Sequence, residues 1–165
     1  MPKKKVKMGI AGIGAMGQGH VQAFTANPDS EIVAICDQSK EWIEHCKKEW
    51  GIRYAFTDWE DLVTCDAVEA VAVCLPTVFH DPVTIGALDN GKHVLCEKPM
   101  AMSTEKAQAM ADAAQRSGKV LMISYNQRFG PDIQYMKKYR VSVSPARNSV
   151  RRQIELLRRL REQKR

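Results

Sequence analysis

Three glycines, Gly12, Gly14 and Gly17, stand in the spacing G-x-G-x-x-G within the run GIAGIGAMGQGH, residues 9 to 20, directly after the strand-like stretch Val6 to Ile10. That spacing suits a cradle for the pyrophosphate of a dinucleotide. Gly12 permits a tight turn, Gly14 lets the backbone approach the phosphates, and Gly17 allows close packing of the helix that follows. The helix N-terminus then offers free N–H groups and the positive end of its dipole. Ile13, Ala15 and Met16, between the glycines, belong to the same cofactor-binding loop. The spacing alone also fits an ordinary glycine turn, so the surrounding elements must decide. Asp37 lies 20 residues beyond Gly17, at the end of the next β-rich run. A carboxylate there can accept hydrogen bonds from the adenine ribose and repel a 2′-phosphate, which favours NAD over NADP. Lys40 weakens that preference, and the other reading of Asp37 is a cap for the helix after it.

The elements that must hold these residues form a regular series. Val6 to Ile10 reads as a strand, Gly17 to Ala26 as a helix and Glu31 to Cys36 as a second strand. Trp42 to Trp50 reads as a helix closed by Gly51, Tyr54 and Phe56 sit in a short third strand, and Trp59 to Val63 is a helical turn behind an Asp58 cap. AVEAVAVCLP is a fourth strand, and His80 to Leu88 is a helix stopped by Asn90 and Gly91. HVLCE is a fifth strand, Thr104 to Gln115 a long helix behind Ser103, and VLMISY a sixth strand. Strands that alternate with helices, several of them almost continuously apolar, predict an α/β fold: a Rossmann-type, doubly wound parallel sheet with right-handed crossovers. In that setting the glycine run follows a strand and opens a helix, as a dinucleotide site requires.

Length and composition bound the rest. A chain of 165 residues, 44% hydrophobic and 27% charged, is expected to build one core. No apolar run approaches the roughly 18 residues of a membrane helix, and the start MPKKKVKMGI lacks the apolar core of a secretion signal, so the chain is expected in the cytoplasm. PKKKVK reads as a solvated leader rather than a nuclear address. The five cysteines, Cys36, Cys46, Cys65, Cys74 and Cys96, include no C-x-x-C pair, which argues for buried free thiols and against a disulfide framework or a metal site. Charge divides the chain. Residues 1 to 136 carry 14 Lys+Arg against 17 Asp+Glu, whereas residues 137 to 165 carry 11 against 2. Residues 1 to 139 use 13 Lys and 3 Arg, and residues 140 to 165 use 1 Lys and 8 Arg.

Four motifs in order, GIAGIGAMGQGH, VAVCLPTVFH, GKHVLCEKPMA and ISYNQRF, resemble the N-terminal domain of the glucose-fructose oxidoreductase, inositol dehydrogenase and MocA family of dehydrogenases, over about residues 5 to 136. The most specific element is Glu97-Lys98-Pro99 after a strand. It is supported by Leu75-Pro76-Thr77 with His80 and by Asn126, Gln127, Arg128 and Phe129. The resemblance implies that Leu75, Pro76, Thr77 and His80 border the cofactor, together with Glu97, Asn126 and Arg128. It further implies that Lys98 reaches the nicotinamide and a sugar, polyol or related hydroxy substrate. Hydride removal from a secondary alcohol builds negative charge on its oxygen, and Lys98 is suited to hydrogen-bond that oxygen as the catalytic residue. Plainer readings stand beside these: Lys98 paired with Glu97 at the Pro99 turn, His80 as a capping or packing residue, and Arg128 in a surface ion pair.

The resemblance stops where the composition changes. Family members continue into a second domain on a large antiparallel sheet that supplies much of the substrate pocket, a catalytic histidine and the oligomer interface. After Gly130 this chain has no glycine, and VRRQIELLRRLREQKR sets Val150, Ile154 and Leu157 at helical spacing among arginines, which predicts a basic amphipathic helix. Residues 1 to 136 are therefore expected to form the dinucleotide-binding domain and residues 137 to 165 a distinct tail. Three readings of the tail compete: contact with nucleic acid or an acidic membrane surface, packing on a partner or an uncovered sheet edge, and the truncated or frame-shifted end of a longer dehydrogenase gene. The last is preferred because Lys gives way to Arg at a sharp point. On this reading the isolated chain is incomplete as an enzyme and prone to self-association. The rival is a non-catalytic nucleotide-binding module whose tail contacts nucleic acid or protein.

Overall fold

A computed structural model describes residues 4–138; the expected basic helix with Val150, Ile154 and Leu157 lies outside them. The described residues fall into two units, one up to Tyr125 and one from Asn126 onward.

The first unit holds six strands, β1 (Val6–Ala11), β2 (Ser30–Cys36), β3 (Tyr54–Phe56), β4 (Ala70–Val73), β5 (His93–Cys96) and β6 (Leu121–Ile123). Between them run five helices, α1 (Ala15–Ala26), α2 (Lys40–Trp50), α3 (Trp59–Thr64), α4 (His80–Asp89) and α5 (Thr104–Ser117). All strand pairs are parallel, in the order β3-β2-β1-β4-β5-β6. The chain winds outward from β1 to β3 and then returns to β4, so the order reverses between β1 and β4. At that switch the two neighbouring connections diverge to opposite faces and leave a crevice beyond the carboxyl ends of the strands.

Both faces of the sheet are covered, and β4 shows how the sequence arranges it. Val71 and Val73 enter one core with Leu62 and Val63 of α3, Leu88 of α4 and Met110 of α5. Ala70 and Ala72, on the alternate positions, enter the other with Val21 of α1 and Ile43 and Cys46 of α2. A strand buried on both faces needs no polar alternation, which is why Ala-Val-Ala-Val reads as a continuous apolar run.

The expected elements are present, with shifted ends. Helix α1 begins at Ala15 rather than Gly17, because Gly14 is its N-cap. Helix α2 begins at Lys40 rather than Trp42: Ser39 is the cap, its hydroxyl accepting from the Trp42 amide at 3.2 Å. The expected Asp58 and Ser103 caps form, on the amides of Glu60 and Lys106. Strand β4 is shorter than AVEAVAVCLP; at its start the Val68 amide turns back to the Cys65 carbonyl. Three thiols are buried, Cys36, Cys46 and Cys96, whereas Cys65 and Cys74 are only partly so; all five are free.

The second unit, as far as it is described, is a 3-10 turn at Asn126–Phe129 followed by α6 (Pro131–Lys138). The Gln134 side chain donates to the Arg128 carbonyl at 2.6 Å, and the Arg128 guanidinium lies 5.7 Å from the centre of the Phe129 ring.

Gly17 is the tightest point of the first unit. A Cβ added there would come within 2.0 Å of the Gly12 carbonyl oxygen, which is backbone and cannot swing away. Gly17→Ala is therefore expected to destabilise the domain by about 3 kcal/mol, at the upper end for overpacking. Urea unfolding followed by circular dichroism measures it, and an unchanged midpoint would contradict the packing described.

Candidate functional site

The carboxyl ends of β1 to β4 surround an open cleft of about 430 Å³. Gly12 and Gly14 enter it after β1, Cys36, Asp37 and Gln38 from the end of β2, Thr57, Asp58 and Trp59 after β3, and Cys74, Leu75, Pro76 and Phe79 after β4.

Each motif glycine meets a different constraint. Gly12 has φ +87°, in the left-handed region, and a Cβ there would sit 2.8 Å from the Cys74 carbonyl oxygen. Gly17 is closed by the Gly12 carbonyl. Gly14 is the opposite case: nothing in the protein lies within 4 Å of the position its Cβ would take. The protein does not need a glycine there, so the space above Gly14 is left for something else. Helix α1 starts at this point without a side-chain cap and without an acidic residue in its first turn. Its leading N–H groups and dipole therefore face the opening unneutralised, a setting for an anion.

The loop is held from both sides at Ile13. Its amide donates to Asp37 Oδ2 at 3.0 Å, and its carbonyl accepts from Trp42 Nε1 at 2.9 Å. The Ile13 side chain is fully buried, and the residue is not part of the cleft wall. Asp37 also accepts from the Ser39 amide through Oδ1 at 3.2 Å. Asp37 thus does not cap α2, which is Ser39's role. An ionised carboxylate has about four lone-pair positions, so two amides leave room for further donors from a ligand. Lys40, expected to soften the charge here, is exposed at the start of α2 and is not part of the cleft wall.

Two thiols border the cleft. Burial, with Asp37, Asp58 and Asp61 nearby, pushes Cys36 up to about 12. Burial, with Glu97 and Cys96 nearby, pushes Cys74 up to about 12. Both stay protonated at neutral pH and are not nucleophiles.

The other expected residues are not in the cleft wall. Ala15 and Met16 are exposed on the first turn of α1. Thr77 opens the 3-10 turn after Pro76. His80 is 1% exposed, with Nδ1 at 2.8 Å from the Pro99 carbonyl oxygen and Nε2 at 2.9 Å from the Leu75 carbonyl oxygen. It ties the Leu75-Pro76 turn to the Pro99 turn from beneath, close to the packing role weighed for it. Glu97 is buried, and its carboxylate is hydrogen-bonded to His20, at 2.8 Å, rather than paired with the Lys98 side chain. Burial opposes its ionisation, but bonds from His20, the Ser124 side chain and the Lys98 amide outweigh that and hold the carboxyl below its usual range. Lys98 is exposed, and among the described residues its side chain has no hydrogen-bond or ion-pair partner. Asn126 and Arg128 belong to the second unit.

Sequence reading missed Thr57, Asp58 and Trp59 as wall residues, having read Asp58 only as a cap. The signal was available: ligands of open α/β sheets lie beyond the strand carboxyl ends, and these three follow β3. It also missed His20, one helical turn past Gly17, and Trp42. Among the described residues no group of His, Cys, Asp or Glu is arranged to hold a metal ion, and no helix is long and apolar enough to cross a membrane.

The open space over Gly14 sets an expectation. Gly14→Ala should leave stability within about 0.5 kcal/mol while reducing binding of a dinucleotide at least tenfold, as read by calorimetric titration beside thermal unfolding. Trp42→Phe, which removes the indole N–H, should weaken the same binding about threefold, the scale of one lost hydrogen bond. Unchanged affinity in both variants would disconnect the glycine loop from the ligand.

Comparison with known proteins bears on the same residues. Residues 6–125 match the family described as Oxidoreductase family, NAD-binding Rossmann fold, GFO_IDH_MocA. The D-glucoside 3-dehydrogenase of Escherichia coli (strain K12) is 32% identical over 139 residues, 84% of this chain and 40% of that protein. The inositol 2-dehydrogenase of Corynebacterium glutamicum (strain ATCC 13032) is 30% identical over 137 residues, 82% of this chain and 41% of that protein. The scyllo-inositol dehydrogenase of Lactobacillus casei, solved with bound cofactor NAD(H) and scyllo-inositol, superposes with a TM-score of 0.77 at 27% identity, over 82% of this chain and 40% of that one. The chain thus spans about 40% of the length of these relatives.

Proposed function

The chain belongs to the Gfo/Idh/MocA oxidoreductase family, and from that premise we propose that it binds NAD(H) across the carboxyl ends of its sheet and forms the cofactor-holding part of a dehydrogenase acting on a sugar or polyol. The observation that carries this reading is the glycine loop: Gly12 and Gly17 are closed by the protein's own backbone, whereas Gly14 opens onto free space at an uncapped helix start.

The residues divide the cofactor between them. The α1 N-terminus and the Gly12–Gly14 backbone take the pyrophosphate. Asp37 accepts from the ribose hydroxyls, while Leu75, Trp59 and Phe79 offer an apolar wall of a size suited to an aromatic base. Asp37 and Asp58 both line the cleft, and carboxylates there disfavour a 2′-phosphate. NAD is therefore expected over NADP. Nicotinamide, when bound, supplies the hydride acceptor or donor. Lys98, exposed and unpaired among the described residues, is positioned by sequence just past β5 to hydrogen-bond a substrate oxygen and stabilise charge that builds there. Ile13, Ala15, Met16, Thr77, His80 and Glu97 serve as the frame of this site, with Asn126 and Arg128 assigned on the family pattern alone.

Titration of the chain with NAD and NADP tests the reading. The unmodified chain is expected to prefer NAD by about tenfold or more, some 1.4 kcal/mol. Asp37→Asn keeps an acceptor for the Ile13 amide but removes the charge, and should narrow the preference to about threefold. Tighter binding of NADP by the unmodified chain would refute the role given to Asp37; failure to bind either would refute the reading as a whole.

A further inference from the structure

The cleft wall is contributed by the ends of β1, β2, β3 and β4, and none of its residues comes from β5 or β6. That is an adenosine-sized seat. Lys98, which must meet the other end of a dinucleotide, sits on the turn after β5, so something other than the cleft wall must fix that turn relative to the phosphate seat. His80 ties the Pro99 carbonyl to that of Leu75, and a second contact reaches α1 itself. His20, on the second turn of α1, has Nε2 at 2.8 Å from Glu97 Oε1, with side chains only 15% and 7% exposed. The ring also stacks on Phe24 one turn further along, with centroids 5.9 Å apart, which fixes its orientation on the helix.

Glu97 is a junction. Its backbone amide continues the ladder to the Val73 carbonyl at 2.9 Å, which anchors it to β4. Its other carboxylate oxygen accepts from the Lys98 amide at 3.2 Å, and the Ser124 side chain, just past β6, also donates to it. One buried carboxylate therefore gathers donors from α1, from the Lys98 turn and from the end of β6. Because it is buried, the removal of any donor is felt by the others.

Resting on the cofactor reading above, we propose that His20 and Glu97 are a positioning pair that holds the Lys98 turn in register with the phosphate-binding start of α1, so that the nicotinamide half of a dinucleotide is gripped as well as its adenosine half. Neither residue touches the cofactor in this role. His20 acts through Glu97, and Glu97 acts through the Lys98 amide.

The test compares two ligands that differ only at the far end. ADP-ribose carries the adenosine, the pyrophosphate and the second ribose; NAD adds the nicotinamide. Both are titrated calorimetrically into the full chain and into His20→Ala, His20→Gln and Glu97→Gln, each checked for folding by circular dichroism. His20→Ala is expected to weaken NAD about tenfold, the scale of one charge-assisted hydrogen bond, while ADP-ribose stays within about twofold. His20→Gln, whose amide can still donate to Glu97, should restore NAD binding to within about threefold. Glu97→Gln, which is nearly isosteric, should show the same selective loss even if His20→Ala fails to fold. A merely structural role would lower both ligands alike, and that result overturns the proposal. So do equal affinities of the unmodified chain for the two ligands, or an unchanged ratio in the folded variants. Binding of neither ligand by the unmodified chain would instead overturn the cofactor reading, and this inference with it.

Discussion

The site depends on the backbone of one residue. At Ile13 the chain has just left β1 and has not yet entered α1, and its N–H and C=O are both taken by residues that follow β2: the Asp37 carboxylate and the Trp42 indole. A loop between a strand and a helix would otherwise sample several arrangements, each of which aims the α1 N–H groups differently. With the peptide groups on both sides of Ile13 engaged, Gly12 locked in the left-handed region and Gly17 pressed against the Gly12 carbonyl, little freedom remains. The start of α1 is therefore set before any ligand arrives, which lowers the ordering cost of binding there. Asp37 has two tasks in this arrangement, since the carboxylate that shapes the loop also lines the cleft.

The same economy recurs at the other strand ends. His80 bridges the Leu75 and Pro99 carbonyls, and Glu97 gathers His20, Ser124 and the Lys98 amide. These buried polar groups lie where the sheet stops and the connections diverge. Backbone groups there lose their ladder partners and must be satisfied in other ways. The turns that carry Leu75, Pro76 and Lys98 are thus ordered by hydrogen bonds with side chains that sequence reading assigns to the cofactor itself.

The fold was legible because its strands are apolar on both faces and its helices carry caps. Val6 to Ile10, the Asp58 and Ser103 caps and the Gly51 stop all stand where the pattern put them. The ends were less legible for definite reasons. Ser39 caps α2 ahead of two polar residues, Lys40 and Glu41, which carry no apolar signal, and β4 loses its first residues to a turn at Cys65 to Val68. Among the cleft-wall residues, Gly12, Gly14 and Asp37 were readable from their spacing after the strands, and Leu75 and Pro76 from the family pattern. Trp42 and His20 were not. Their partners, Ile13 and Glu97, lie 29 and 77 residues away, and only the folded sheet brings them together. His80 shows the reverse case, where a residue carried by the family pattern turns out to face two backbone carbonyls.

The central claim is that a nicotinamide dinucleotide lies across the carboxyl ends of this sheet, seated on a loop preset at Ile13. Backbone amide chemical shifts of the isotope-labelled chain, followed while NADH is added, test it most directly. Saturable shifts are expected at Gly12 to Gly17, at Asp37 to Ser39, at Thr57 to Trp59 and at Leu75 to Thr77, all with one dissociation constant. Saturable shifts confined to other surfaces, or the absence of any saturable shift in these four segments, would contradict the account.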